Sequence, residues 1–563
     1  MSATNSRIKA ILAIAVAVLF SYGCGGGAGS AIVLLAEGVG SGGTGLGIVQ
    51  GIGVLTGFGS LIVDGVRRDE SMATYMSEED HAMATVIAPT GARLGQRLEY
   101  AYGPDGALTS ALFSPELVGT VTAVNASGIT VLGTAVTANA DPGSGPVTSL
   151  IGYATPESIQ VGDRVAVYGL IRVDAQRGSS LQATLIVRKS EGSGIRLTGY
   201  VQQLNAATGV FMIGSNTISI GSAIVTPAGA SLRDDQLVTV WSDTPPIGDA
   251  ITAASIRIKW PPQESGDRAL SGLVSSYASA ASFKVLNVTV DARSATIEPA
   301  GAALGDGRYV TVAGLFDAAA NKLNATKVTI YSPAAGRAVE LHGTVLNFVS
   351  TSSFTVRGVV IDASMATFSG GTAGDLGNNV FVEVVGAVKN NVVLASTVTL
   401  KSGDLMHLPM NSVLDVEGTI ESYDPRTGAY SLRLQSGQSI SGNINAGAFY
   451  EEGNAADLAV GKSVTFRSVL GSGSMMTSVV RFSPPGAGSS TSGPTDGIPA
   501  HLEGVVYKVT DSSFMVNGIT VQINGVPIQG AGMMGLRQGQ HVRVDVVSSG
   551  GKFLATAIRM GGS

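Results

Sequence analysis

The stretch Glu340–Ser402, ELHGTVLNFVSTSSFTVRGVVIDASMATFSGGTAGDLGNNVFVEVVGAVKNNVVLASTVTLKS, decides the fold. Its apolar and polar residues alternate with period two, so that Val382 and Val384 share a face opposite Glu383. Such alternation is typical of strands with one buried and one solvated face. Glycine and asparagine turns divide the stretch into about five short strands. So few strands would leave exposed edges in an open sheet, and we therefore predict that the unit closes into a small barrel.

Six relatives of this stretch can be traced along the 563-residue chain. Each copy opens with a glycine and an alternating run, at Gly53, Gly119, Gly199, Gly272, Gly343, Gly418 and Gly504. The spacing of 66 to 86 residues is too long for a simple solenoid and indicates an array of small domains. The predicted fold class is therefore all-β, a tandem array of about seven small five-stranded OB-like β-barrels after an N-terminal signal segment.

The recurring glycines and the shifts in composition between the copies set the predicted domain boundaries. The segments are a signal peptide with a lipobox-like end (1–24), a Gly/Ser-rich tether (25–47), repeat 1 (48–116), repeat 2 (117–190), repeat 3 (195–262), repeat 4 (268–333), repeat 5 (338–403), repeat 6 (413–483), a linker (484–498) and repeat 7 (499–563). Repeat 3 is the most divergent, because its segment Leu232–Val240 lacks the glycine found at this place in other copies.

The composition narrows the class of protein. Charged residues make up only 13% of the chain, against a typical share of about 25%. Glycine contributes 76 of the 563 residues, which is well above its typical share of about 7%. Many tight turns account for the glycine, since turns often require a positive φ. The net charge of −6 and the pI near 5.5 provide no basic surface. Nucleic acid is therefore not expected as a partner.

The N-terminal residues have the composition of an export signal. Arg7 and Lys9 precede an apolar run, Ala10–Phe20, that is too short to span a membrane as a helix. The single cysteine, Cys24, closes a segment that resembles a bacterial lipobox. From this resemblance we predict that Cys24 is lipidated. The acyl chains would then anchor the protein, since two or more chains give stable membrane attachment. A lipobox usually has leucine at the place of Ser21, so ordinary signal cleavage and an uncleaved anchor stay open as alternatives.

A second motif recurs in the later half of the copies. It is an apolar-glycine turn followed by a strand, as in Val161–Val167 (VGDRVAV), and each copy ends in an Ala/Thr-rich strand such as Leu181–Val187. Together with the Gly-x-Val opening and the Ser-Phe-x-Val-x-Gly run at Ser353–Gly358, this pattern resembles the bacterial domain-of-unknown-function family 5666. The resemblance implies OB-like barrels that occur in tandem in exported lipoproteins. Its motifs are structural, so it implies no catalytic residues.

Motifs for catalysis and metal binding are weak. Gly40–Gly45 satisfies a GxGxxG spacing, but no helix pattern follows it, so a tether is the preferred interpretation. The five histidines are dispersed over the chain without the spacing of metal ligands. We therefore predict a protein that is not an enzyme and that holds no metal or cofactor.

The aromatic residues are few and recur at fixed places. Phe283, Phe354 and Phe514 each follow a serine on the second strand of a copy, which is typical of a barrel's core plug. If the repeats are independent barrels, Phe354→Ala should unfold its own repeat and leave the neighbouring repeats folded. Trp241 and Trp260 both lie in divergent repeat 3 and are the candidate ligand-binding residues for a glycan or peptide groove; edge packing is the alternative.

These observations favour an exported, lipid-anchored cell-envelope protein with a non-catalytic structural or binding role. It is expected at the outer membrane, facing the periplasm or the cell surface, with the membrane and an envelope protein or glycan as partners. One alternative is an outer-membrane β-barrel, suggested by the mean hydropathy of +0.31, although the strands are shorter than such barrels need. Another is an OB array that binds oligosaccharides or nucleic acid. Specific function is expected where the copies differ.

Overall fold

The computed structural model describes residues 48–482 apart from 81, 175–177, 190–191, 263, 334–337, 390–391 and 402–404. Of the last repeat it describes 499–560 apart from 508, 510–511, 517–518, 524–525, 527, 530–535, 538–539 and 550–551. Strands make up 59% of the chain, and the described residues contain short 3-10 helices but no α-helix. The prediction of an all-β protein with repeated β-rich units is confirmed. The predicted signal peptide, tether and linker lie outside the described residues.

The first three repeats contain the following strands. Repeat 1 has β1 (Val49–Phe58), β2 (Leu61–Val63), β3 (Val66–Arg68), β4 (Thr74–Ser77), β5 (Thr85–Val86), β6 (Arg97–Tyr102) and β7 (Leu108–Phe113). Repeat 2 has β8 (Leu117–Asn125), β9 (Gly128–Val131), β10 (Thr134–Ala138), β11 (Ser149–Ile151), β12 (Arg164–Asp174) and β13 (Gly178–Lys189). Repeat 3 has β14 (Ile195–Tyr200), β15 (Gln202–Asn205), β16 (Val210–Ile213), β17 (Asn216–Ser219), β18 (Ile224–Thr226), β19 (Leu237–Ser242), β20 (Ala250–Thr252) and β21 (Ser255–Trp260).

The last four repeats follow the same plan. Repeat 4 has β22 (Gly266–Ser279), β23 (Ser282–Val285), β24 (Val288–Asp291), β25 (Thr296–Glu298), β26 (Tyr309–Asp317) and β27 (Lys322–Ile330). Repeat 5 has β28 (Val339–Ser350), β29 (Ser353–Val356), β30 (Val359–Asp362), β31 (Thr367–Ser369), β32 (Phe381–Lys389) and β33 (Val392–Lys401). Repeat 6 has β34 (Val413–Tyr423), β35 (Ala429–Arg433), β36 (Ser439–Glu451), β37 (Ser463–Leu470) and β38 (Met475–Phe482). Repeat 7 has β39 (Pro499–Tyr507), β40 (Ser513–Val516), β41 (Ile519–Gln522), β42 (Ile528–Gln529), β43 (His541–Ser549) and β44 (Lys552–Met560). The 3-10 helices are Pro89–Gly91, Pro142–Ser144, Pro156–Ser158, Ala373–Asp375, Leu405–His407 and Ala455–Asp457.

Within a repeat the strands pair in a ring, and repeat 5 is representative. Its opening strand β28 pairs antiparallel with β29 and β32, β29 pairs with β30, and β32 pairs with β33. A parallel pairing of Ile361 with Val393 joins β30 to β33 and completes the ring. The same order of pairing recurs in repeats 2, 4 and 7. In repeat 6, β34, β35, β36, β38 and β37 form a closed barrel, which has no edge strand.

The recurring phenylalanine lies in the core of its repeat. Phe283, Phe354 and Phe514 are each no more than 1% exposed. Repeat 6 has Tyr430 in the corresponding place, with its ring centroid 4.6 Å from that of Phe466. The predicted role of these residues as core plugs is confirmed.

The repeats are not the separate beads that the sequence predicts. β1 of repeat 1 pairs in parallel with β22 of repeat 4 and with β28 of repeat 5, and β8 of repeat 2 pairs with β14 of repeat 3. The β-rich units run into one another through shared sheets, as in a β-solenoid, and are not clearly separate OB barrels. The physical reason lies in β1, where Gly51–Phe58 carries small or apolar residues on both faces and is buried throughout. A strand that is apolar on both faces requires cover on both.

The hydrophobic cores reflect this joining. One cluster combines Phe58 of repeat 1, Tyr168 of repeat 2 and Phe354 of repeat 5. By contrast, the cluster around Phe514 contains residues of repeat 7 alone among those that the structure describes. The chain therefore combines a shared core with at least one self-contained repeat.

Candidate functional site

Repeat 1 presents buried carboxylates to its neighbours. The hub cluster consists of Glu78, Glu99 and Glu116 of repeat 1 with Arg196, Arg257 and Lys259 of repeat 3. Other acids of repeat 1 are paired in the same way, Glu79 with Lys189 of repeat 2 and Glu70 with Arg357 of repeat 5. Several buried ion pairs thus lie at the joints between repeats.

The hub cluster is held by close contacts. Glu78 accepts hydrogen bonds from Arg196 at 3.1 Å and from Arg257 at 2.9 Å. Arg257 also donates to both carboxylate oxygens of Glu99, at 2.8 and 2.7 Å, and the Lys259 ammonium lies 3.5 Å from that carboxylate. A buried carboxylate in this setting depends on its cations, because removing one leaves charge uncompensated away from water.

The period-two pattern of β21 explains why the cations reach repeat 1. Ile256 and Ile258 point into the core cluster that repeat 3 shares with repeat 2. Arg257 and Lys259 alternate with them and therefore lie on the opposite face of the strand. That face is covered by repeat 1, so Lys259 is only 7% exposed.

The cations of the hub cluster set the protonation of its acids. Burial alone would raise the pKa of Glu99, but Arg257 and Lys259 outweigh burial and lower that pKa to about 2. Burial would also raise the pKa of Glu78, but Arg257 and Arg196 outweigh burial and lower that pKa. Both carboxylates are therefore charged at neutral pH.

We expect the stability of the joined repeats to fall in acid. An unfolded glutamate titrates near about pH 4.3, whereas Glu99 in the fold titrates near 2. Because the folded pKa is the lower one, its stabilisation is complete above about pH 5 and is lost as the pH falls towards about 2. Urea-unfolding midpoints measured across this range test the expectation. Glu99→Gln is the control: Glu78, whose pKa Arg257 and Arg196 also lower, titrates in both proteins, so part of the loss should persist in the variant. An equally steep loss in the variant would contradict the role of Glu99.

An open cleft of about 470 Å³ lies on repeat 6. This repeat-6 cleft is lined by Ser422, Tyr423, Asp424, Ala429, Tyr430, Ser431, Ser441, Gly442, Asn443 and Ser474. The residues come from β34, β35 and β36, from the turn after β34 and from the turn before β38. The cleft therefore lies across the first three strands of a closed barrel.

Strand register places three hydroxyl groups in a row beside the cleft. Ser422, Ser431 and Ser441 are direct partners on β34, β35 and β36. Directly paired residues project from the same face of a sheet. The three serines thus form a ladder of hydrogen-bonding groups, which is called the serine ladder below.

The neighbouring row is aromatic and tightly packed. Tyr423, Tyr430 and Gly442 are direct partners on the same three strands. A Cβ at Gly442 would lie 2.4 Å from the Tyr430 hydroxyl oxygen and 2.6 Å from the Met475 carbonyl oxygen, so only glycine fits. The Tyr430 hydroxyl pairs with that of Thr477 inside the barrel at 2.9 Å. Burial raises the pKa of Tyr430, which keeps its phenol neutral.

Asp424 is the carboxylate that lines the cleft. It accepts hydrogen bonds from the Arg426 backbone N–H and from the Thr427 hydroxyl, each at 2.9 Å. These bonds lower the pKa of Asp424. The carboxylate is therefore charged at neutral pH and bound within its own turn, which is unlike a general acid poised for proton transfer.

A second opening, of about 590 Å³, involves repeats 3 and 4. It is lined by Gly229, Ala230, Ser231, Arg233, Ser265, Ala318 and Ala319. These are small side chains with one guanidinium, so the opening offers fewer side-chain contacts than the repeat-6 cleft.

The residues singled out from the sequence lie away from both openings. Trp241 and Trp260 are each 6% exposed. The Trp241 indole N–H donates to Asp243 at 2.9 Å, and Trp260 packs against Phe316 with ring centroids 5.8 Å apart. These positions fit the alternative of edge packing, and ligand binding by the two tryptophans stays a prediction. Cys24 lies outside the described residues.

Four segments match a family model, that of a domain of unknown function, DUF5666. The matched residues are 118–186, 271–329, 342–399 and 503–559. These four segments are similar to DUF5666 domains. The resemblance found in the sequence is therefore confirmed for repeats 2, 4, 5 and 7. The hub cluster and the repeat-6 cleft involve repeats 1, 3 and 6, which lie outside the DUF5666 matches.

Other comparisons are less informative. The solved structure named "drosophila Unr CSD456" is 13% identical over 33% of this chain and 78% of its own, with a TM-score of 0.11. A search of curated proteins found no match. Among the described residues, no helix is long and apolar enough to cross a membrane. In the same part of the chain, no group of three or more His, Cys, Asp or Glu side chains is arranged to hold a metal ion.

Sequence reasoning missed both the hub cluster and the repeat-6 cleft. A signal for the hub cluster was available, since the consecutive acids Glu78, Glu79 and Asp80 are unusual in a chain so poor in charge. For the cleft, the pairing of Ser422, Ser431 and Ser441 depends on strand register, which the sequence did not specify.

Proposed function

We propose that this chain is an exported, lipid-anchored protein of the cell envelope whose repeats carry a non-catalytic structural or binding role. Arg7, the apolar run Ala10–Phe20 and Cys24 support export and anchoring. In this proposal the protein faces the periplasm or the cell surface. Its partners are the membrane together with an envelope protein or a glycan.

The observation that carries the proposal is the distribution of ionisable side chains. Glu78 and Glu99 are buried against cations at a joint between repeats, whereas the repeat-6 cleft is lined mainly by hydroxyls, tyrosines and an amide. Acid–base catalysis needs a positioned group with a pKa near the working pH, and the lowered pKa of Asp424 moves away from it. The buried ion pairs hold repeats together, and the open cleft offers polar groups. Both features fit a structural or binding role.

We further assign the rings of strands to OB-like barrels. Each ring combines antiparallel neighbours with parallel pairings to its last strand, as from β30 and β31 to β33, which fits a five-stranded Greek-key barrel. The closed barrel of repeat 6 supports the assignment. In this view the protein is a set of barrels fused through repeat 1.

Replacing Cys24 with serine is expected to release the protein from the membrane and to abolish incorporation of labelled palmitate, because the acyl chains are attached through the modified cysteine. Detergent phase partitioning and palmitate labelling of cells measure the two effects. Ser21→Leu is the matched control: it restores the residue usual in a lipobox, so labelling should persist or increase.

Two outcomes would count against the anchor. A Cys24→Ser protein that still partitions into detergent and still takes up palmitate contradicts lipidation at this residue. A variant that enters the detergent phase without any label would favour the outer-membrane β-barrel instead.

A further inference from the structure

We propose that the outer edge of β31 in repeat 5, the side away from β33, binds an extended, uncharged peptide segment of a partner protein. The inference rests on the proposed binding role and adds the class of partner and its site. β31 pairs in parallel with β33, and among the described residues no strand is paired with its other side. An unpaired edge presents backbone N–H and C=O groups that an added strand can bind.

Repeat 1 shows what fits this edge, because its own chain covers the corresponding one. β4 of repeat 1 pairs in parallel with β7, as β31 does with β33. In repeat 1, however, β5 pairs antiparallel with the other side of β4. An insertion provides β5, since residues 78–88 separate β4 from the following 3-10 helix, whereas only residues 370–372 do so after β31. The edge that β5 covers in repeat 1 is therefore left open in repeat 5.

Strand register identifies the backbone groups that face outward. In each repeat the parallel pairing starts at the first residue after a β-bulge in the last strand, Ser110 in β7 and Thr397 in β33. Tyr75 of β4 and Phe368 of β31 therefore occupy the same register. The Tyr75 carbonyl accepts a hydrogen bond from the Ile87 N–H at 2.9 Å. Because the N–H and C=O of one strand residue lie on the same edge, Phe368 presents both groups outward.

The outer edge of β31 lacks the devices that usually protect a free edge. Folded proteins guard such edges with charged side chains and proline. The corresponding strand of repeat 4, β25, ends at Glu298 and is followed by Pro299. β31 has the uncharged sequence Thr-Phe-Ser and is followed by two glycines. Thr367 and Ser369 are exposed, and Met365 just before the strand is 91% exposed. The edge is thus accessible and suited to receive another strand.

The covering segment of repeat 1 indicates the chemistry of the peptide. Thr85–Ile87 consists of three β-branched residues without charge, and such residues favour extended conformations. Ile87 packs against the same core cluster as Phe368 does in repeat 5. We therefore expect the bound peptide to carry an apolar residue opposite Phe368.

Two other assignments fit less well. The occupant in repeat 1 is a loop segment and not another barrel, which favours a peptide over a second copy of this chain at the outer edge of β31. The serine ladder of repeat 6 offers no comparable edge, because β35 and β36 are each paired on both sides. Its Ser431 hydroxyl also already donates to Glu421 at 3.1 Å.

A synthetic peptide with the sequence of Ala82–Ala88 (AMATVIA) tests the proposal on the full chain. Photo-methionine in place of Met83 allows its position to be mapped by cross-linking and mass spectrometry. We expect cross-links to residues 364–371 of repeat 5. A control peptide methylated on the Ile87 nitrogen should lose them, because it cannot donate to the Phe368 carbonyl.

Variants of the protein separate backbone pairing from side-chain packing. Phe368→Pro removes the N–H that faces away from β33 and should weaken peptide binding by at least about tenfold. Phe368→Val removes the same ring but keeps the N–H, so most of the binding should persist. Ile297→Pro makes the same change on β25 of repeat 4 and should leave binding unchanged. Circular dichroism and unfolding midpoints establish that the variants are folded, and the methylated peptide tests the wild-type chain independently of them.

Five results would overturn the proposal. They are no cross-links to the wild-type chain, cross-links confined to residues 74–77 of β4, equal weakening by Phe368→Pro and Phe368→Val, undiminished binding of the methylated peptide, and self-association that Phe368→Pro abolishes in a chain that binds no peptide. Palmitate labelling of Cys24 in the same preparations reports on anchoring separately. A chain that is labelled but binds no peptide therefore refutes the edge site and leaves the anchored role standing.

Discussion

Replacing Arg196 with leucine is expected to lower the free energy of unfolding by about 3 to 5 kcal/mol, the usual range when one partner of a buried ion pair is removed. The Arg196 side chain is 1% exposed, and its guanidinium donates to the Glu78 carboxylate at 3.1 Å and to the Glu78 backbone carbonyl at 2.7 Å. Leucine fills part of the space but leaves Glu78 buried with one cation fewer. Because the two residues belong to different repeats, the substitution should open the joint between repeats 1 and 3.

Urea unfolding followed by tryptophan fluorescence is the measurement, since the Arg196 guanidinium lies 5.5 Å from the centre of the Trp241 ring. Adding Glu78→Leu to Arg196→Leu should recover part of the loss, because the buried carboxylate is then removed as well. The control is Arg433→Leu, which breaks an exposed pair with Glu421 and should change the free energy by less than about 1 kcal/mol. Equal effects of the two arginine substitutions would show that the hub cluster does not hold the repeats together.

Phe354→Ala and Phe514→Ala remove the same side chain from the same place in two repeats, yet we expect different consequences. Deleting a fully buried phenylalanine costs about 3 to 5 kcal/mol. Phe354 belongs to a core that also contains Phe58 and Tyr168, so its loss should lower the transition that repeats 1, 2 and 5 share. Phe514 lies in a core of repeat 7 residues, so its loss should shift the transition of that repeat alone.

Differential scanning calorimetry combined with hydrogen-exchange mass spectrometry separates these outcomes. In Phe354→Ala, peptides from repeats 1 and 2 should lose protection together with those of repeat 5, since the three share one cooperative core. In Phe514→Ala, the protection of repeats 1 to 6 should be unchanged. A Phe354→Ala protein that loses protection only in repeat 5 would indicate that the repeats unfold independently.

The course of the strands within a repeat could be predicted because it depends on local signals. Alternation around Val382 and Val384 marks β32, and the glycine before Val345 lies within β28. The plug at Phe354 could be recognised because it recurs at the same place in other copies. Such signals act over a few residues, and nothing outside the repeat is needed to interpret them.

The joints between repeats could not be predicted from the same signals. Period-two alternation in β21 separates Ile256 and Ile258 from Arg257 and Lys259, but it does not say what covers the charged face. The sequence assigns that face to water, whereas repeat 1 covers it. The apolar run in β1 is equally ambiguous, since a strand buried on both faces and a strand of a single barrel have similar composition.

By itself, the sequence determined an all-β chain of repeated units, the residues that fill their cores and the resemblance of four of the repeats to DUF5666. Only the tertiary structure decided that the repeats share sheets and cores, that the acids of repeat 1 meet cations from its neighbours, and that Ser422, Ser431 and Ser441 line up beside a cleft. The physical reason is that strand patterns record which face is apolar, a local property. The partner of a face and the register between strands depend on contacts between residues far apart in the chain.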